Sequence, residues 1–151
     1  AYAGFTIDRG SDDGIALYDP VMTSNGLIGM VCEIAPNYAK VATILSDEIN
    51  VGVMTFDSKV TGILDNDIKN ANEGNCLMSY ITKDSGIKEG EIVKSVAGVV
   101  FPGNLLIGTV SKVYDDENGL SVHAVIKPAV DVRTVTDCVV ITDFKGQGVV
   151  D

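Results

Sequence analysis

The segment GLIGMVCEI, residues 26–34, returns 79 positions later as LLIGTVSKV, residues 105–113, with Leu-Ile-Gly-x-Val in register. A glycine inside an apolar β-branched run weakens a strand unless the backbone must bend sharply or pass close to a neighbour. Gly29 and Gly108 fit that need at equivalent places. The flanking order repeats too. Pro20-Val21-Met22-Thr23-Ser24, a turn, the first Gly-broken strand and Val41-Ala42-Thr43-Ile44 form one copy. Glu91-Ile92-Val93-Lys94-Ser95, the insertion VVFPGNL, the second Gly-broken strand and Val122-His123-Ala124-Val125-Ile126 form the other. Strand, turn, bent strand, loop, strand thus occurs twice, which predicts a duplicated β unit.

The rest of the chain follows the same grammar of short apolar runs bounded by Gly, Asn and Asp. Extended segments are predicted at 3–8, 20–23, 26–34, 38–45, 49–55, 59–64, 76–81, 91–96, 105–114, 119–127 and 138–142. Asp13-Gly14, Asn25-Gly26, Gly103-Asn104 and Asn118-Gly119 mark turns, so Gly14 and Gly26 join Gly29 and Gly108 as glycines placed by backbone geometry. No long window carries an uninterrupted helical stripe, so helix is expected to be minor. A small sheet disposes of its edges most completely by closing on itself. The expectation is an all-β protein of two six-stranded barrels, residues 1–75 and 76–151, divided near the polar stretch 66–75. The strand at 3–8 could complete either one.

Composition narrows the chemistry. With 46% hydrophobic and 21% charged residues among 151, the chain can bury a core and is not disordered. A net charge of −10 with 11 scattered basic residues excludes a direct nucleic-acid role, which needs clustered cations. Cys32, Cys76 and Cys138 are widely spaced beside a single His, so neither a zinc site nor a disulfide framework is expected, and small apolar packing is their simplest role. Asp12-Asp13, Asp65-x-Asp67 and Asp115-Asp116-Glu117 lack the ligand spacing and glycine of a calcium loop and read as solvated turns. No metal or cofactor is expected.

The ordered set Thr6-Ile7-Asp8-Arg9-Gly10-Ser11-x-Asp13-Gly14-Ile15, Asp19-Pro20-Val21, Asn25-Gly26-Leu27-Ile28-Gly29-x-Val31, Phe101-Pro102-x-x-Leu105-x-Ile107-Gly108-x-Val110 and Lys127-Pro128-Ala129-Val130-Asp131 resembles the extracytoplasmic region of the MreC family of rod shape-determining proteins. One stretch departs from the pattern: the family's Gly-Asp-x-Val-x-Thr-Ser-Gly is here Gly90-Glu91-Ile92-Val93-Lys94-Ser95-Val96-Ala97-Gly98, with the Thr lost and two residues added. The resemblance implies two β-barrel domains outside the cytoplasm, held to the membrane only by a span N-terminal to this region. It also implies a non-catalytic scaffold for peptidoglycan elongation whose partners include a class B penicillin-binding protein, MreD and further copies of itself.

Two six-stranded barrels are also the plan of trypsin-like hydrolases, so an enzyme is the rival reading. His123 is then the sole candidate base, and no Gly-x-Ser-x-Gly or Gly-Asp-Ser-Gly string accompanies it. A half-exposed structural His is expected instead. The insertion at 99–105 is apolar for a connection, so it either folds under the second barrel or meets a partner. Core is the favoured reading; if it is a contact, the candidate binding residues are Val100, Phe101, Pro102 and Leu105.

Overall fold

Eleven strands and one short helix make up the chain in the computed structural model, which describes residues 4–98, 101–135 and 137–143. The strands are β1 (Gly4–Ile7), β2 (Pro20–Thr23), β3 (Gly26–Ile34), β4 (Ala39–Thr43), β5 (Gly52–Thr55), β6 (Thr61–Leu64), β7 (Cys76–Thr82), β8 (Ile92–Ser95), β9 (Leu106–Asp115), β10 (Ser121–Pro128) and β11 (Val139–Val140). Every segment expected to be extended overlaps one of them. The protein is all-β, and among the described residues helix is confined to α1 (Ile68–Asn72) and a 3-10 turn at Ser11–Asp13.

The strands divide into a five-stranded sheet of order β1-β4-β3-β2-β11 and a closed barrel of order β10-β7-β6-β5-β8-β9. Closure, expected twice, therefore occurs once among the described residues. β1 pairs with β4, from Gly4 opposite Ala42 to Ile7 opposite Ala39, so the first strand completes the first sheet. The sheets also part elsewhere than at residue 75. Residues 52–64 supply β5 and β6 to the barrel, where β5 pairs with β8 and β6 with β7. The four barrel strands after residue 75 are too few to close around a core, and the β5–β6 hairpin makes six. The stretch at 66–75 is likewise more than a polar linker: it holds α1, whose first turn is capped by Asp67 accepting the Asn70 N–H at 2.8 Å.

One apolar core runs through both sheets, with Ile28, Val31 and Ile44 on one side and Leu64, Met78, Ile81, Ile107 and Ile126 on the other, all fully buried. Buried Asn66 ties the two together. Its amide donates to the Ile44 and Ser46 carbonyls, and its Oδ1 accepts the Leu77 N–H at 2.9 Å. Burial of such a group is tolerated because both ends of the amide are satisfied.

The duplicated sequence is a duplicated three-stranded meander, β2-β3-β4 and β8-β9-β10. Gly29 lies between Val21 and Thr43, and Gly108 between Val93 and Pro128. A register shift follows Val21 in one copy and Val93 in the other. An added Cβ would lie 2.0 Å from the Ala42 carbonyl oxygen at Gly29 and 2.0 Å from the Lys127 oxygen at Gly108. The two glycines let neighbouring backbones touch at the same point of each copy.

The equivalence extends further upstream than the sequence comparison reaches. The Val31 N–H donates to the Asp19 carbonyl and the Val110 N–H to the Glu91 carbonyl, each at 2.9 Å. Tyr18 and Gly90, one residue earlier, both have positive φ, at 72° and 88°. Their N–H groups return to the Val31 and Val110 carbonyls. Asp19 and Glu91 are both buried, and each accepts the N–H three residues before it, from Ala16 and Lys88 respectively. These pairs stand 72 positions apart while the glycines stand 79 apart, and the seven residues at 99–105 account for the change of phase.

Candidate functional site

Phe101 is only 6% exposed and packs in the common core. Its aromatic ring does not form an open patch. The loop around it is fixed by Ser95, whose hydroxyl donates to the Pro102 carbonyl at 2.8 Å and accepts the Leu105 N–H at 3.0 Å. Pro102 and Leu105 are half-buried, and Val100 lies outside the described residues. Phe101, the aromatic side chain of this connection, is thus part of the core.

Gly26 starts β3 at a junction between the sheets. Its φ is 153°, and an added Cβ would sit 3.1 Å from the Leu106 carbonyl and 3.3 Å from Ala129. Gly14 ends the 3-10 turn with φ 84° and open space around it.

His123 stands on β10 near the tip of the β9–β10 hairpin. Its Nδ1 lies 2.7 Å from Asp116 Oδ1, its ring stacks on Tyr114 with centroids 5.4 Å apart, and its side chain is 31% exposed. Ser121 also belongs to this cluster, but its hydroxyl donates to Asp116 Oδ2. Asp116 is therefore the hub, with Ser121 and His123 as its two spokes. A serine nucleophile needs its hydroxyl on the imidazole and the carboxylate behind the ring. Here the hydroxyl and the imidazole share the carboxylate, an arrangement that locks the hairpin. The Ser121 hydroxyl and then the His123 ring hold the Asp116 carboxyl below the usual carboxylate range. Support from Asp116 is accordingly full above the ordinary carboxylate pKa and fades as pH falls through the lowered value.

Acidic turns form no grouping of three or more metal-ligating side chains among the described residues. The thiols are all free. Cys76 is buried, donates to the Ile44 carbonyl at 3.1 Å, and has its pKa pushed up to about 12 by burial. Cys138 is half-buried, and Cys32 is exposed rather than packed as expected.

Open surfaces also lie on the sheets themselves. β1 and β11, the two outer strands of the five-stranded sheet, face a groove of about 710 Å³ lined by Phe5, Ile7, Ile15, Val132, Val135 and Val140. On the barrel, alternation along β6, β5 and β8 turns Ile63, Met54, Ile92 and Val96 outward while Leu64, Val53 and Val93 point in. Phe56, in the β5–β6 turn, continues that outer row and is 49% exposed. The ammonium groups of Lys59 and Lys94 sit 4.7 Å and 4.9 Å from the centre of its ring. The sequence reading passed over this cluster because an alternating strand is silent about which outward apolar residues adjoin across strands.

A family profile described as rod shape-determining protein MreC, barrel core, matches residues 1–142. The cell shape-determining protein MreC of Listeria monocytogenes is 31% identical over 152 aligned positions, covering 96% of this chain and 50% of that protein. The chain thus spans about half the length of the curated relative. A solved MreC structure from Listeria monocytogenes superposes with a TM-score of 0.78 at 30% identity, over 86% of this chain and 63% of that one. MreC from Pseudomonas aeruginosa gives 0.81 at 23% identity, over 91% and 88% of the two chains. A complex between penicillin-binding protein PBP2 and MreC from Helicobacter pylori shares the fold at a TM-score of 0.62 and 18% identity, over 74% of this chain and 67% of that one. With the family profile covering nearly all of the sequence and the fold in agreement, the chain belongs to the MreC family of rod shape-determining proteins.

Proposed function

We propose that this chain is a non-catalytic scaffold of cell-wall elongation, facing outside the cytoplasm and holding a class B penicillin-binding transpeptidase. The observation that carries this reading is the relative of the same fold solved in complex with PBP2. Family membership supports the role in cell shape. MreD and further copies of the chain complete the proposed set of partners. Among the described residues no helix is long and apolar enough to cross a membrane, and attachment through a preceding span is part of the proposal.

The wiring of the lone imidazole supports a role without bond cleavage, since the Ser121 hydroxyl is bound to the Asp116 carboxylate and not to the imidazole. A fluorophosphonate probe is expected to leave Ser121 unlabelled, read by intact mass. Labelling that disappears in His123→Ala would revive the hydrolase. For the scaffold, the extracytoplasmic part of the class B penicillin-binding protein from the same organism is the probe. Titrated against the immobilised chain, it is expected to bind saturably, and absence of binding at 100-fold above a micromolar range, roughly the weak end of specific complexes, removes the proposal.

A further inference from the structure

The duplication extends to the strands on either side of each meander. β4 and β10 correspond, because Val41 is opposite Val31 and Ile126 is opposite Val110, the same positions of the two Gly-broken strands. On their far sides Phe5 and Ile7 of β1 face Val41 and Ala39, as Cys76 and Met78 of β7 face Ile126 and Ala124. At the other flank Val140 of β11 is opposite Val21, as Thr55 of β5 is opposite Val93. The next N–H in each, from Ile141 and Phe56, donates to the Pro20 and Ile92 carbonyls at 2.9 Å and 2.8 Å respectively. The sheet β1-β4-β3-β2-β11 thus repeats the barrel order β7-β10-β9-β8-β5, strand for strand. Only β6, which joins β5 to β7 and closes the barrel, has no counterpart among the described residues.

The groove of about 710 Å³ between β1 and β11 lies at that seam. Burial differs there between the copies. Cys76, Met78 and Thr55 are fully buried, whereas their counterparts Phe5, Ile7 and Val140 are half-buried and line the groove. Two outer strands with an apolar wall between them take one extended segment, which pairs with both rows of backbone groups at once. In the barrel that segment is Thr61-Gly62-Ile63-Leu64, with Leu64 fully buried opposite Met78. Glycine is needed at 62 because an added Cβ would lie 2.8 Å from the Ser79 carbonyl oxygen. The same pattern of a polar residue, glycine and two aliphatics stands at Gln147-Gly148-Val149-Val150, outside the described residues. In the sequence these four follow β11 after six residues (141–146), where Thr61–Leu64 follows β5 after five (56–60).

We propose that the seam between β1 and β11 is a strand-acceptor site, and that its occupant is this chain's own segment 147–150, folded back antiparallel to β11 with Val150 opposite Ile7. The short connection selects that occupant over a second copy or a foreign strand. A segment tethered six residues from the seam meets it at a far higher effective concentration than a free one does. Gly148 then falls where the close approach to the neighbouring strand requires glycine, and Val150 takes the place that Leu64 fills in the barrel. The inference does not depend on the scaffold reading above.

Engineered disulfides in the full chain test the proposal, in a Cys138→Ser background because Cys138 lines the same groove. Residues directly opposite in an antiparallel pair have Cα atoms about 4.5–5.5 Å apart, within disulfide range. Ile7→Cys with Val150→Cys is therefore expected to form an intramolecular bridge, located by peptide mass mapping and running as monomer on a non-reducing gel. Val149→Cys in place of Val150→Cys is directed to the other face of the strand and should bridge at least about tenfold more slowly. Thermal melts confirm folding; Asp8→Cys with Val149→Cys, the next pair along, replaces the first pair if Ile7→Cys does not fold. Removal of residues 144–151 is expected to lower the melting temperature by at least about 4 °C, the shift that a lost strand contact of modest size gives in a chain of this length. Absence of a bridge, equal rates from positions 149 and 150, or an unchanged melt on truncation overturns the proposal. A bridge found only between two chains also overturns it, because the occupant is then a second copy.

Discussion

Gly108→Ala is expected to lower the melting temperature on the order of 10 °C, or to leave the barrel unable to fold, and Gly29→Ala should do the same to the five-stranded sheet. The added methyl at Gly108 would lie 2.0 Å from the Lys127 oxygen and 2.9 Å from Pro128 Cα. At Gly29 it would lie 2.0 Å from the Ala42 oxygen and 2.8 Å from Thr43 Cα. These neighbours are backbone in the adjoining strand, so no rotamer change relieves the clash. The strands must separate by more than about 1 Å to restore ordinary contact, breaking ladder hydrogen bonds on the way. Overpacking costs typically about 1–3 kcal/mol, and a backbone clash lies at or above the top of that range. For a chain of this length each kcal/mol moves the midpoint by about 2–4 °C. Gly52→Ala is the control: its added methyl meets only Val96 Cβ at 3.7 Å, so its melt should match wild type within about 2 °C. If Gly108→Ala melts alongside that control, the close approach is not what places glycine there.

The glycine prediction also marks how far sequence reading carries. All eleven strands were visible because half-buried strands alternate and their turns carry Gly, Asn or Asp. Membership of the two sheets was not visible. Strands 52–55 and 61–64 have the same local pattern wherever they pair, and only the need for six strands around one core assigns them to the barrel. The site residues divide in the same way. Phe101 was flagged for being apolar in a connection, and burial explains the flag. Phe56 was overlooked because its significance lies in Lys94, far away in sequence, reaching over its ring. Lys59 carries no local sign of its left-handed backbone, which depends on a carboxylate supplied by residue 91. A signal for that carboxylate did exist: an acid immediately before the first strand of each meander, at a 72-residue offset. The seven-residue insertion hid it by changing the phase of the repeat.

Those two acids are expected to answer neutralisation with opposite signs. Burial pushes the Asp19 carboxyl up, and the single Ala16 N–H, at 2.9 Å, does not offset it. Burial also acts most strongly on Glu91. There the N–H groups of Ser58 and Lys88 together with the Ser58 hydroxyl outweigh it, and the carboxyl lies below its usual range. Asp19→Asn keeps an acceptor for Ala16 and removes a charge the fold disfavours, so at pH 7 it should be neutral or stabilising. Glu91→Gln turns an amide NH₂ toward a ring of donors and leaves at least one buried N–H unpaired, a cost of about 1–3 kcal/mol. Glu91→Ala strands all three donors and should cost about 3 kcal/mol or more, while loosening the turn that carries Phe56 and Lys59.

The pH dependence separates the two sites further. Because the folded pKa of Glu91 is depressed, its contribution is present above the ordinary Glu value of about 4.3 and is lost as pH falls through the folded value. The penalty of Glu91→Gln should therefore shrink in acid. Asp19 behaves in reverse: with its folded pKa raised, the native state takes up a proton before the unfolded chain does, and wild type gains stability relative to Asp19→Asn as pH falls through that raised value toward about 3.9. Urea denaturation of the three proteins between pH 3.5 and 7 measures both trends, since these changes act on the folded state and leave the m-value nearly constant. Parallel pH profiles for the two isosteric variants would mean that equal positions in the duplicated meander impose equal environments. The three-to-one difference in accepted hydrogen bonds argues that the copies have diverged here, with the barrel copy using its acid to brace a presented turn and the sheet copy merely tolerating one.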